Sequence, residues 1–187
     1  MRIKLSAIAM LLVGSLNTIL THAQFVPPGI APTALEQIND NIYTFRWGPY
    51  RSMFVVSDQG VIVTDPLSVE AAAAYREAVR SVTDLPVTHV VYSHCHWDHA
   101  PGGQIFKDEG AVVIAQAGCL DNLKMSPHPD IVPPDITFET TYTVKSGDEQ
   151  LDLYYFGPSH DTCLIVMVSP SAKLMYTVDI LTPRPHG

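Results

Sequence analysis

The chain has 187 residues, 47% of them hydrophobic, and 19 acidic against 11 basic side chains give it a formal net charge of -8. That length suits one domain with a sizeable core, and the acidic balance argues against a nucleic-acid partner, which would call for clustered Lys and Arg. The three cysteines, Cys95, Cys119 and Cys163, are an odd and scattered set that does not describe a disulfide framework, although an exporting cell could oxidise one pair.

Arg2 and Lys4 precede an apolar run over residues 7–20, and Thr21-His22-Ala23 ends in the small residue that signal peptidase accepts. Residues 1–23 therefore read as a secretory signal peptide. The run is interrupted by Gly14, Ser15 and Asn17 and falls short of the roughly 20 apolar residues that span a bilayer. The mature protein is expected to be periplasmic or secreted, with no stable membrane insertion. Residues 24–40, rich in proline at their start, are expected to form an extended leader, and residues 41–187 the folded domain.

Alternating and β-branched stretches predict strands at 41–47, 52–57 and 61–64, with turns at Gly48-Pro49 and Asp58-Gln59-Gly60. The third strand ends in Asp65-Pro66, and Ser68 is placed to cap a helix over 69–82, whose alanines and apolar stripe fit it to pack on a sheet. A buried strand follows at 87–92. Pro101-Gly102-Gly103 then turns the chain into a short helix over 104–108, followed by a strand at 111–115 and a helix over 116–125. Residues 126–135 carry Pro127, Pro129, Pro133 and Pro134 and read as a loop of the kind that borders substrate clefts; His128 within it is taken as a solvated side chain. Four further strands are expected at 140–144, 151–156, 164–168 and 174–178. Strands alternating with helices make this an α/β chain.

The chemistry concentrates after the strand at 87–92. His94-Cys95-His96-Trp97-Asp98-His99 places three imidazoles and a carboxylate within six consecutive residues. Zinc takes imidazole nitrogen and carboxylate oxygen at about 2.0–2.2 Å, so such donors must converge on one small volume. Residues two apart on an extended backbone share a side, which joins His94 to His96 and turns Cys95 away as a packed or outer-sphere thiol. Cys163 opens an apolar strand and reads as core.

The pattern H-x-H-x-D-H resembles the signature of the metallo-β-lactamase-fold hydrolase superfamily. Two later stretches extend the resemblance: Gly157-Pro158-Ser159-His160-Asp161-Thr162 is similar to the family's third-histidine loop, and Tyr176-Thr177-Val178-Asp179 to the segment with its metal-bridging aspartate. The resemblance implies an αββα sandwich of two mixed β-sheets. It implies two Zn2+ ions, the first held by His94, His96 and His160, the second by Asp98 and His99, with Asp179 bridging. Asp98 would also orient a metal-bound hydroxide that hydrolyses an ester, thioester, lactone or lactam bond of a small-molecule substrate. An aspartate at the bridging position is closer to the glyoxalase II and lactonase side of the family than to lactamases with a cysteine ligand.

The family adds a last histidine after a further strand and helix. Here His186 lies seven positions past Asp179, within the tail Thr182-Pro183-Arg184-Pro185-His186-Gly187, and is read as tail and not ligand. The expectation is a second half of the fold lacking its final strand and helix. The alternative function is a non-catalytic metal-binding protein with a truncated site.

Overall fold

Side-chain alternation along the central strands builds two cores, one on each face of the same sheet. Phe54, Val63, Val90 and Val113 face one way, into a core with Tyr75, Val79 and Phe106; Met53, Val55, Ile62, Val91 and Ile114 face the other, against Val144, Leu151, Leu153, Ile165 and Met167. The computed structural model describes residues 32–181, so the signal peptide, the first part of the leader and the tail with His186 lie outside the described residues.

The larger sheet has seven strands in sequence order: β1 (Thr33–Gln37), β2 (Ile42–Trp47), β3 (Tyr50–Val56), β4 (Val61–Thr64), β5 (Val87–Val91), β6 (Val112–Gln116) and β7 (Ile136–Phe138). β1 to β4 pair antiparallel and β4 to β7 parallel, which makes the sheet mixed. The smaller sheet holds β8 (Thr141–Ser146), β9 (Glu149–Tyr154), β10 (Val166–Ser169) and β11 (Leu174–Tyr176) as antiparallel neighbours in the order β11-β10-β9-β8. The two sheets stack through the second core. The three described helices, α1 (Val69–Arg80), α2 (Gln104–Lys107) and α3 (Gly118–Met125), contribute to the first, giving the helix-sheet-sheet layering of the αββα class.

Two elements correct the sequence reading. The second part of the expected leader is not a free extension: Thr33–Gln37 pairs with β2 from Gln37 opposite Tyr43 to Thr33 opposite Trp47, so the sheet begins before residue 41. Its mostly exposed side chains gave no apolar pattern to read. β7 was missed for a related reason, because three residues are too few to show alternation.

α1 forms where its residues ask for it. The Ser68 hydroxyl accepts from Ala71 N at 3.0 Å, Glu70 sits in the first turn and Arg80 in the last. Ala71, Ala72, Tyr75 and Val79 make the buried face, and the Tyr75 hydroxyl donates to the Met53 carbonyl at 2.7 Å, fixing the helix on β3. The loop after the ligand run is tied to the start of this helix. Gly102 has φ +94 and donates to the Asp130 carbonyl at 2.9 Å, and a Cβ there would collide with the Ser68 carbonyl and come within 2.9 Å of the Ala72 methyl. Gly102→Ala is therefore expected to cost on the order of 1–3 kcal/mol, read as a lower Tm in thermal unfolding; an unchanged Tm would show that the loop shifts freely.

Candidate metal centre

Parallel pairing of β4, β5 and β6 brings the carboxyl ends of these strands to one edge of the sheet, where sites in α/β folds are built. β4 delivers Asp65 there, and β5 delivers Ser93 and His94, followed by a turn carrying His96, Asp98 and His99. The second sheet adds its own loops: His160 lies between β9 and β10, and Asp179 follows β11.

The imidazoles of His94, His96 and His160 converge, with ring centroids 4.4 Å apart for His94 and His96, 4.9 Å for His96 and His160, and 5.4 Å for His94 and His160. One donor atom from each lies within 4.8 Å of the others. A second set at the same spacing is His94, His99 and Asp179, so His94 is common to both. Asp179 Oδ2 stands 3.1 Å from His99 Nε2, 3.6 Å from His94 Nε2 and 3.7 Å from His160 Nε2, one oxygen facing both sets. Its backbone is left-handed at φ +57, a conformation Asp tolerates better than most residues.

The two overlapping donor sets are of a kind that could hold a metal ion. His94 is 1% exposed and His99 3% exposed, yet the Nε2 of each is buried without a hydrogen-bond partner among the described residues. A buried polar nitrogen without a partner is costly, and imidazole and carboxylate are the donors of zinc and similar ions.

The other ring nitrogens are engaged. His94 Nδ1 lies 3.0 Å from Ser93 Oγ, and His99 Nδ1 lies 3.4 Å from Asp65 Oδ2, the outer-sphere pattern that leaves Nε2 free for a cation. Asp65 is fully buried; its Oδ1 accepts from Ser93 N at 2.7 Å and its carbonyl from Ser52 Oγ at 2.5 Å. Its φ of +33 is strained, a strain these bonds hold at the strand end.

Asp98 belongs to neither donor set. Asp98 lies near enough to Tyr50 for its charge to act on the Tyr50 hydroxyl. Burial, with the charge and hydrogen bond of Asp98 and the charge of Asp179, raises the Tyr50 pKa, and the Tyr50 ring stands edge-on to His99 at 5.9 Å. Sequence reasoning missed Tyr50 and Asp65. A charged residue closing the β-branched run of β4 was the one signal for Asp65. Asp161, beside His160, was also missed: its Oδ2 is 3.9 Å from His96 Nε2.

The cysteine expectation is corrected as well. Cys95 is not a free thiol but is joined to Cys119, with Cα atoms 5.6 Å apart, because parallel pairing of β5 and β6 places the two chain exits side by side; Cys163 is free and buried, as a core residue should be. His128 is half-buried, and its Nδ1 accepts from Asp130 N at 3.2 Å.

Burial pushes the His94 pKa down to about 4, with Asp65 acting against that and the neighbouring His99 and His96 adding to it. Burial also opposes charging of His99, but the hydrogen bond and charge of Asp65, with Asp179 and Asp98, outweigh it and raise its pKa. Between about pH 4 and 6.5 His94 is neutral in the folded chain and protonated in the unfolded one, so its contribution to stability is present above that window and is lost as pH falls through it. For the metal-free chain His94 alone should remove about 2 kcal/mol between pH 7 and pH 5. His99 offsets part of this, since a raised folded pKa favours the folded state at acid pH. A lower Tm at pH 5 than at pH 7 after chelator treatment is the expected result; an equal or higher one would show that His99 dominates.

The metallo-beta-lactamase superfamily model matches residues 45–187, and the chain belongs to that superfamily. It is 26% identical over 153 residues to the alpha subunit of 2,4-dinitroanisole O-demethylase from a Nocardioides species, covering 80% of this chain and 47% of the relative. It is 25% identical over 150 residues to a type 2 metallo-beta-lactamase from Elizabethkingia meningoseptica, covering 75% of this chain and 59% of that protein. The chain thus spans about half the length of these relatives. Among solved structures, a metallo-beta-lactamase from Cronobacter sakazakii superposes with a TM-score of 0.68 at 20% identity, over 82% of this chain and 65% of that one.

Proposed function

We propose that this protein is an exported, zinc-dependent hydrolase that cleaves an ester, thioester, lactone or lactam bond in a small molecule. The observation that carries the reading is the position of Asp179 Oδ2, 3.1 to 3.7 Å from the Nε2 atoms of three histidines, two of which are buried and otherwise unpartnered. His94, His96 and His160 would hold one ion, His99 and Asp179 the other. Bound zinc supplies Lewis acidity and brings the pKa of water from 15.7 to about 7.

The protein's own groups do the rest. Asp65 holds the His99 ring so that Nε2 faces inward, and Ser93 does the same for His94. Asp98, whose charge acts on His99 at the second set, is the carboxylate that takes the proton given up by the attacking water. Trp97, 69% exposed between His96 and Asp98, offers apolar surface to the substrate at the mouth of the site. The aspartate at position 179 favours thioester and lactone substrates over lactams, and the residue 1–23 signal peptide together with the Cys95–Cys119 disulfide supports export to an oxidising compartment.

The test is metal analysis of the purified chain combined with turnover of a thioester, a lactone and a chromogenic β-lactam. About two zinc per chain with thioester or lactone hydrolysis that a chelator abolishes is the expected result. Tightly held zinc with no turnover across the panel would leave a metal-binding protein and sink the catalytic reading.

A further inference from the structure

The Sγ atoms of Cys95, Cys119 and Cys163 lie within 4.8 Å of one another and all three residues are buried. They come from three segments. Cys95 sits between His94 and His96, Cys119 in the first turn of α3, and Cys163 three residues past His160. Cys95 and Cys119 are linked, while the Cys163 thiol donates to Asp161 Oδ2 at 3.1 Å and lies 3.6 Å from Asn122 Nδ2, which donates to it. Asn122 Nδ2 also donates to the Asp161 carboxylate, at 3.0 and 3.2 Å.

Backbone contacts tie the same segments together. Ile165 N donates to the Ser93 carbonyl at 2.9 Å. At the start of α3 the packing is so close that a Cβ on Gly118 would stand 3.3 Å from the Thr162 carbonyl oxygen and 3.4 Å from the Cys163 Cβ. Every segment that carries a donor of the His94, His96 and His160 set therefore has a sulfur of this cluster within three residues of that donor.

His96 and His160 need such support, because their side chains are 38% and 39% exposed and have little packing of their own to place them. Ordering a free loop costs conformational entropy, a cost that falls on cation binding unless the fold has already met it. We propose that the sulfur cluster is a positioning device for the first metal: the Cys95–Cys119 link holds the His94-to-His96 segment against α3, Cys163 and Asp161 hold the His160 loop against both, and breaking the link weakens the affinity of that donor set. The proposal rests on the metal reading of the site given above.

Dithiothreitol breaks the link by supplying two electrons and two protons, giving two thiols and the cyclic oxidised reagent. Zinc titrations against a chromophoric chelator would compare the oxidised chain, the chain reduced and desalted under argon, Cys119→Ser, and Cys163→Ser, all below the Tm of each form. Cobalt absorption would report the geometry of the site. Peptide mapping of the unreduced chain should find Cys95 joined to Cys119. Reduction and Cys119→Ser should each weaken the tighter zinc site 10- to 100-fold, the range for outer-sphere changes, and shift the cobalt spectrum; Cys163→Ser, which leaves the link intact, should weaken it less.

If reduction and Cys119→Ser lower Tm but leave zinc affinity and the cobalt spectrum unchanged, the link is a plain structural staple and the proposal is overturned, with the metal reading intact. Three free thiols in the folded chain would overturn it too. If no form binds zinc, the oxidised one included, the metal reading itself has failed and this proposal falls with it.

Discussion

On the proposed function, a His94→Ala chain is expected to lose the first metal and to retain hydrolysis only at background level, a fall on the order of 10⁴-fold or more. His94 Nε2 lies within reach of both donor sets, but one imidazole nitrogen binds one ion, here that of His96 and His160. Without it the first set keeps His96 and His160, two donors where a catalytic zinc ordinarily has three from the protein. With the cation gone, water regains a pKa of 15.7 and about eight orders of magnitude of its ionised fraction at neutral pH are lost. His160→Ala is the companion variant, since it removes one donor of the first set only, from an exposed loop where truncation leaves the core intact. It should lose one zinc and keep weak binding at the other position. Metal analysis with circular dichroism decides the matter: a folded His94→Ala chain that still carries two zinc would show that the donor sets have been misassigned.

Asp65→Asn should act more selectively. Asp65 touches no expected cation, but it fixes the His99 ring through Nδ1 and caps Ser93 N from a fully buried position. The amide removes the charge that raises the His99 pKa and turns one acceptor oxygen into a donor, facing either His99 or the Ser93 N–H. Affinity at the position served by His99 and Asp179 should fall 10- to 100-fold, and stability should fall by about 1–3 kcal/mol for the unmet buried group. The first donor set should keep its affinity. A two-site zinc titration beside a thermal melt separates the effects, and equal weakening at both positions would mean that Asp65 supports the whole edge of the sheet and not His99 in particular.

The acid response of the metal-free chain bears on the same groups. Two buried imidazoles a few ångströms apart, with centroids 4.6 Å from each other, are driven in opposite directions because only one of them faces Asp65 through a ring nitrogen. That division leaves His94 a neutral ligand across the physiological range and keeps His99 the more basic of the two.

What the sequence alone determined is local in origin. The i, i+2 spacing of His94 and His96 on an extended chain, the alanine-rich face and Ser68 cap of α1, and the apolar runs of β4 and β5 each follow from backbone period and propensity within one element, and each is present in the fold. The convergence of His160 and Asp179 on that pair was legible only through family resemblance, since nothing in residues 157–160 or 176–179 specifies which strand end they will face. Tertiary structure alone decided the rest. Asp65 and His99, 34 positions apart, meet because β4 and β5 run parallel; Cys95 and Cys119, 24 apart, pair because β5 and β6 do; β1 exists only because the edge of β2 was open to it. Such meetings depend on strand order and register, which are settled by the burial of two cores at once and not by the residues that happen to be brought together.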